Sequence, residues 1–224
     1  MDIREILHYV DHTQLKAFAT WDDMEKLCDE SIRYETASVC IPPAYVKNVY
    51  DTYGKDINIC TVIGFPLGYE TAETKIKETE CAINDGASEI DMVINIGALK
   101  SGRLDLVKDE ISRIRQAADK KILKVIIETC YLTDEEKIAM CRTVTECNAD
   151  FIKTSTGFGT EGAVLSDIAL FKKYIGSSVK IKAAGGIRTR EFMEQLIEAG
   201  ASRLGCSAAV SLAEDEDSRI NKKQ

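Results

Sequence analysis

Short β-branched and apolar runs alternate with amphipathic stretches of helical period along the whole chain, and this alternation most limits the available folds. Parallel strands cannot be joined by tight hairpins, because each return needs a crossover the length of a helix. Strand candidates are ASVCI (37–41), NICTVI (58–63), SEIDMVIN (88–95), ILKVIIET (122–129), DFIKTS (150–155), VKIKAA (179–184) and SRLGCS (202–207). A short strand near YVDHT (9–13) completes a set of eight, behind a short N-terminal helix. Helix punctuation falls between them. Thr20, Ser166 and Thr189 are placed to cap helix starts, Thr133 with Glu136 reads as a capping box, and Gly86, Gly176 and Gly200 read as stops. The pattern predicts an α/β protein, a single-domain (β/α)8 TIM barrel. The alternative is an open doubly wound sheet, which the absence of a G-x-G-x-x-G after the first strand disfavours.

At 224 residues, with three prolines and no Ser/Gly-rich stretch, the chain reads as one domain over 1–213 and a charged tail over 214–224, expected to be mobile. A net charge of −8 argues against broad nucleic-acid or anionic-membrane binding, yet a few local cations can still hold a small anion. Eight scattered cysteines without a C-x-x-C, and only two histidines, give no zinc spacing. Reduced thiols in a cytoplasmic protein are expected. MDIREILHYV carries no signal-peptide pattern, and no apolar run approaches the ~20 residues of a membrane span.

Strands buried on both faces should be nearly all apolar, and several here are not. In SEIDMVIN a period of two separates Glu89, Asp91, Val93 and Asn95 from Ile90, Met92 and Ile94. The apolar set belongs against the helices and the polar set inside the barrel. Lys153 and Lys182 sit near the C-terminal ends of consecutive strands, the end where barrel active sites lie. Lys124 and Lys180, nearer strand starts, are expected to reach solvent. A buried lysine is costly unless paired or neutral. A neighbouring ammonium and desolvation both favour the free amine, and a free amine attacks a carbonyl to give a Schiff base. Lys153, Lys182 and Asp91 therefore read as a set for carbonyl chemistry through an iminium, with Asp91 as proton acceptor. Two glycine turns follow the last strands, Gly185–Gly186 and Gly205 with Ser207, each running into a helix; such turns cradle phosphate.

The segments YVDHTQLK (9–16), TK…E…AI..GASEID (74–91), EIDMVINIGALKSG (89–102), IKTSTGFGTEGA (152–163), KAAGGIRT (182–189) and LGCSAA (204–209) together resemble the class I deoxyribose-phosphate aldolases. The resemblance implies a TIM barrel that reversibly cleaves 2-deoxy-D-ribose 5-phosphate to D-glyceraldehyde 3-phosphate and acetaldehyde, with no metal or other cofactor, and a possible homodimer. It implies Lys153 as Schiff-base former, Asp91 as proton donor and acceptor, and Lys182 as their partner. It implies Gly185, Gly186, Gly205 and Ser207 as phosphate holders, with Thr13 and Thr156 near the substrate. Departures from the family pattern are Gln14, Ala17, Phe18, Pro42 and Ala184, and the absence of a tyrosine after Tyr174, since some members use a C-terminal tyrosine in proton transfer. Competing readings are a Schiff-base aldolase for another phosphosugar and a non-catalytic phosphosugar-binding barrel.

Overall fold

A computed structural model describes residues 1–221. Within them a helix, α1 (Ile3–Leu7), precedes eight strands: β1 (Val10–Thr13), β2 (Ser38–Ile41), β3 (Ile59–Ile63), β4 (Glu89–Val93), β5 (Ile122–Ile126), β6 (Phe151–Lys153), β7 (Lys180–Ala184) and β8 (Arg203–Cys206). All pairings are parallel, and β1 pairs with β8 through Asp11 and Gly205, so the sheet closes into a barrel. The crossovers carry α2 (Trp21–Tyr34), α3 (Val46–Tyr53), α4 (Ala72–Asn84), α5 (Ile96–Lys100), α6 (Leu104–Ala118), α7 (Asp134–Glu146), α8 (Leu165–Tyr174) and α9 (Arg190–Ala199), and α10 (Ala209–Asn221) follows β8. The open sheet is thereby excluded. Among the described residues no helix is long and apolar enough to cross a membrane.

The alternation within strands sets two layers. Ile90, Met92, Val125, Ile152, Ile181 and Leu204 face outward and pack against helix residues such as Ile111, Val144, Phe171 and Leu196, all buried. Each such side chain contributes about 1.5–3 kcal/mol of transfer free energy. The inward positions are largely polar: Asp11, Glu89, Asp91, Lys124, Lys153 and Lys182 are all buried.

Local chemistry ends the elements where caps allow. Thr20 and Thr133 form capping boxes with Asp23 and Glu136, and Thr189 caps α9. Ser166 does not cap α8. The helix starts at Leu165 behind an extended Val164, and its first turn is held by Asp167, whose carboxylate accepts from Lys137 at 2.7 Å. A tertiary ion pair thus fixes this entry instead of a local cap. Three strands stop two or more residues earlier than the sequence pattern suggests. β4 stops at Val93 because Asn95 turns to cap α5, accepting from Ala98 N at 2.9 Å. β5 ends at Ile126 and β6 at Lys153, since the chain beyond them leaves the ladder to build the loops of the barrel mouth. The segment 214–221 continues α10 as helix, with Asp217 paired to Arg4 and Glu216 to Arg190, both at 2.8 Å. The rest of the predicted tail, 222–224, lies outside the described residues.

Candidate active site

β4, β6 and β7 bring Asp91, Lys153 and Lys182 together in the barrel interior. Lys153 and Lys182 are register partners across β6 and β7. Both ammonium groups donate to one oxygen, Asp91 Oδ2, at 2.7 Å each. The sequence pattern placed these three side chains on inward faces, and the barrel twist converges them on one atom.

The cluster is larger than the sequence suggested. Lys124 is fully buried, contrary to the expectation that it reaches solvent, and its Nζ lies 2.8 Å from Asp91 Oδ1 and also pairs with Glu89. The reason is register: Lys124 is the β5 partner of Asp91, so its inward side chain ends among carboxylates. Lys180 is exposed as expected, its Nζ 5.8 Å from the Phe151 ring centroid. Asp11 of β1 accepts from Lys182, from Arg203 of β8 and, at 2.7 Å, from the Ser38 hydroxyl. Arg203 also pairs with Glu89 at 3.1 Å. Asp11 and Arg203 have their signal only in hindsight: each is a charged residue at an inward position of a short strand, and barrel closure makes them neighbours.

Electrostatics follow from this packing. Burial alone would raise the Asp91 carboxyl, but Lys124, Lys153 and Lys182 outweigh it and hold it well below the usual carboxylate range. Asp11 is lowered in the same way, burial being overcome by Lys182, Lys124 and Arg203. Burial would lower Lys124 and Lys182, yet the surrounding carboxylates hold both above the ordinary lysine value. Lys182 therefore rests as a cation, with a proton to lend. Carboxyls lowered on folding add stability that is complete above their unfolded value of about 3.9 and is lost as pH falls below it. Raised lysines add stability that is complete below about 10.4 and is lost only at higher pH. The urea midpoint should accordingly be flat from about pH 7 to 9, sag as pH falls past the range of His12, whose imidazole burial lowers, and drop steeply below about pH 4. A midpoint unchanged down to about pH 3 would contradict the ion network.

Above the network lies a cavity of about 260 Å³ at the C-terminal ends of the strands. Its lining includes Thr13, Lys153, Thr156, Gly185, Gly186, Gly205 and Ser207. Of the buried lysines among the described residues, only Lys153 reaches it; Asp91 and Lys182 lie beneath. Two of these glycines sit close against their neighbours. A Cβ on Gly205 would press on Ala184 Cβ at 3.0 Å and on Lys182 Cε at 3.1 Å. Gly185 has φ +84°, and a Cβ there would lie 3.0 Å from Gly162 Cα, so the loops after β6 and β7 touch backbone to backbone. Arg188 and Lys16, both exposed, line the same cavity and supply positive charge. Lys16 was not singled out by the sequence pattern. Cys40 is buried beside Cys60, its register partner across β2 and β3. Cys60 donates to Asp91 Oδ1 at 3.1 Å. The neighbouring Cys60 sulfur and the ammonium groups of Lys182 and Lys153 lower the Cys40 thiol against the effect of burial.

Comparison with known proteins agrees with this geometry. Residues 5–212 match the family model described as DeoC/LacD family aldolase. The chain is similar to a deoxyribose-phosphate aldolase of Clostridium botulinum (strain Alaska E43 / Type E3), 60% identical over 219 residues, covering 98% of this chain and 99% of that protein. It is 53% identical to one of Clostridioides difficile (strain 630), covering 96% and 98%. Among solved structures, an aldolase designated QR15 superposes with TM-score 0.91 at 37% identity, covering 98% of this chain and 99% of that one. The deoxyribose phosphate aldolase of Aeropyrum pernix, described as uniquely tetrameric, gives TM-score 0.89 at 28% identity, covering 97% and 93%. With a closed eight-stranded barrel, lysines converging under its mouth and a family match over nearly its full length, the chain belongs to the DeoC/LacD family of aldolases.

Proposed function

We propose that this aldolase reversibly cleaves 2-deoxy-D-ribose 5-phosphate to D-glyceraldehyde 3-phosphate and acetaldehyde through a Schiff base on Lys153. The observation that carries the reading is the placement of Lys153, which shares Asp91 Oδ2 with Lys182 and is the buried lysine that lines the cavity. Of the two ammonium groups on that oxygen, Lys153 is the one that reaches the cavity, where its nitrogen can meet a carbonyl carbon. Lys182, enclosed by Asp11 and Asp91, rests protonated. The Lys153 amine then adds to C1 of the open-chain sugar, and loss of water gives the iminium. Acetaldehyde carries two carbons, so the bond that breaks is C2–C3, its electrons passing into the iminium to form an enamine. The C3 hydroxyl proton leaves as the new aldehyde forms. Asp91 and Lys182 lie close enough to move protons to and from this centre, directly or through water.

The phosphate fits the turns at Gly185–Gly186 and Gly205–Ser207, where α10 begins two residues after Ser207 and brings the positive end of its dipole to the cavity rim. Arg188 and Lys16 add charge at the rim. Assembly as a homo-oligomer and a cytoplasmic setting belong to the same proposal.

Treatment with acetaldehyde and borohydride should ethylate Lys153 alone, read by intact mass and peptide mapping. Lys153→Ala should remove both the label and cleavage. A label on another lysine, or none, would overturn the assignment. Phosphosugar binding without a label would instead favour the non-catalytic barrel.

A further inference from the structure

Behind the cavity wall lies a buried carboxylate that the chemistry above does not use. Glu128 follows β5 in a left-handed conformation, φ +54°, and its side chain is 2% exposed. Its partners among the described residues are the amide of Thr156 (3.2 and 3.3 Å to the two carboxylate oxygens), the Thr156 hydroxyl and, at 4.0 Å, the Cys130 thiol. None is a cation. A buried carboxylate with no ion partner costs more than a neutral side chain would at the same place. Its bonds converge on one residue of the cavity lining, Thr156.

The hydrogen bonds fix the polarity of that threonine. A carboxylate has no proton to give, so the Thr156 hydroxyl donates to Glu128. Phe158 N donates to Thr156 Oγ1 at 3.0 Å and occupies one lone pair. The hydroxyl therefore has its proton committed and one acceptor lone pair left. We infer that Glu128 is a positioning residue that makes Thr156 an acceptor only, so that the site selects an aldehyde phosphate bearing a hydroxyl that can donate to it. The inference rests on the aldolase reading, and names the feature of the acceptor aldehyde that this wall recognises.

Glu128→Gln tests it with little change of shape. Both carboxylate oxygens now accept, whereas glutamine offers one acceptor. The Thr156 N–H cannot reverse its role, but the hydroxyl can. It should swing to accept from the glutamine amide and turn its proton toward the cavity. Synthesis from acetaldehyde is measured with D-glyceraldehyde 3-phosphate and with its analogue bearing fluorine in place of the C2 hydroxyl, which can accept weakly but cannot donate. The wild-type chain should prefer the hydroxylated acceptor in kcat/KM by about 100-fold or more, as sites built to bond a hydroxyl do. In Glu128→Gln and in Thr156→Val that preference should fall at least tenfold, while Thr156→Ser, which keeps the hydroxyl, retains it. Ethylation of Lys153 in Glu128→Gln should stay within about twofold of wild type, because acetaldehyde has no hydroxyl to recognise. A preference unmoved in Glu128→Gln overturns the inference, as does labelling that falls in step with turnover, which would make Glu128 a prop for the β6 strand. A wild-type chain that is never labelled overturns the aldolase reading, and this inference with it.

Discussion

Lys182→Met should lower deoxyribose-phosphate cleavage by about 100- to 10,000-fold, the range of a lost proton-transfer group, with the barrel still folded. The fold survives because neither carboxylate is left without donors. Asp11 keeps Arg203 and Ser38, and Asp91 keeps Lys124 and Lys153. The variant should show wild-type far-ultraviolet circular dichroism. Lys124→Met is the control, since it removes an ammonium from the same network but further from the cavity. It should cost more stability and less catalysis than Lys182→Met. Equal loss of activity in the two would mean that net charge in the interior, and not Lys182 itself, is what matters. A fully active Lys182→Met would remove it from the mechanism.

Lys75→Met should cost about 3–5 kcal/mol of stability, the range for breaking a buried ion pair. Lys75 lies on α4 and is fully buried. Its Nζ donates to Gly68 O at 2.6 Å, Val93 O at 2.8 Å and Glu110 at 2.8 Å. The lysine thus ties the β3–α4 loop to the end of β4 and to α6. Without it, two carbonyls lose a donor and a buried carboxylate loses its cation. Burial already pushes the Glu110 carboxyl up in spite of Lys75, so the unpaired acid is costly. In a chain of this size the loss corresponds to a Tm lower by roughly 6–20 °C. The double variant Lys75→Met with Glu110→Met should recover most of it, because replacing both partners leaves no stranded charge. A Tm within about 2 °C of wild type in the single variant would show that the pair contributes little.

The sequence was most legible where the period of two had a chemical consequence. Asp91, Lys153 and Lys182 announce themselves as charges in strands that should be apolar, and the glycine turns mark the rim. Neither reading needed tertiary information. Nearness to a strand start does not bring Lys124 near water, because the charges of this barrel interior reach down to Glu89 and Lys124. Asp11 and Arg203 are 192 positions apart, and only closure of the sheet makes them partners. Lys75 looks like any lysine on a helix with polar neighbours, and its burial depends on how the preceding loop folds over it. Glu128 sits in a run, KVIIET, that reads as continuous strand, and its backbone reversal has no glycine to signal it.

The seam between β1 and β8 also dictates when the interior becomes complete during synthesis. Asp11 leaves the ribosome 171 residues ahead of Lys182 and 192 ahead of Arg203. Until then one wall of the barrel is missing, and an anion destined for the centre faces solvent. A product stalled ahead of Arg203 lacks β8, which leaves β1 and β7 as open edges and Asp11 without its guanidinium partner.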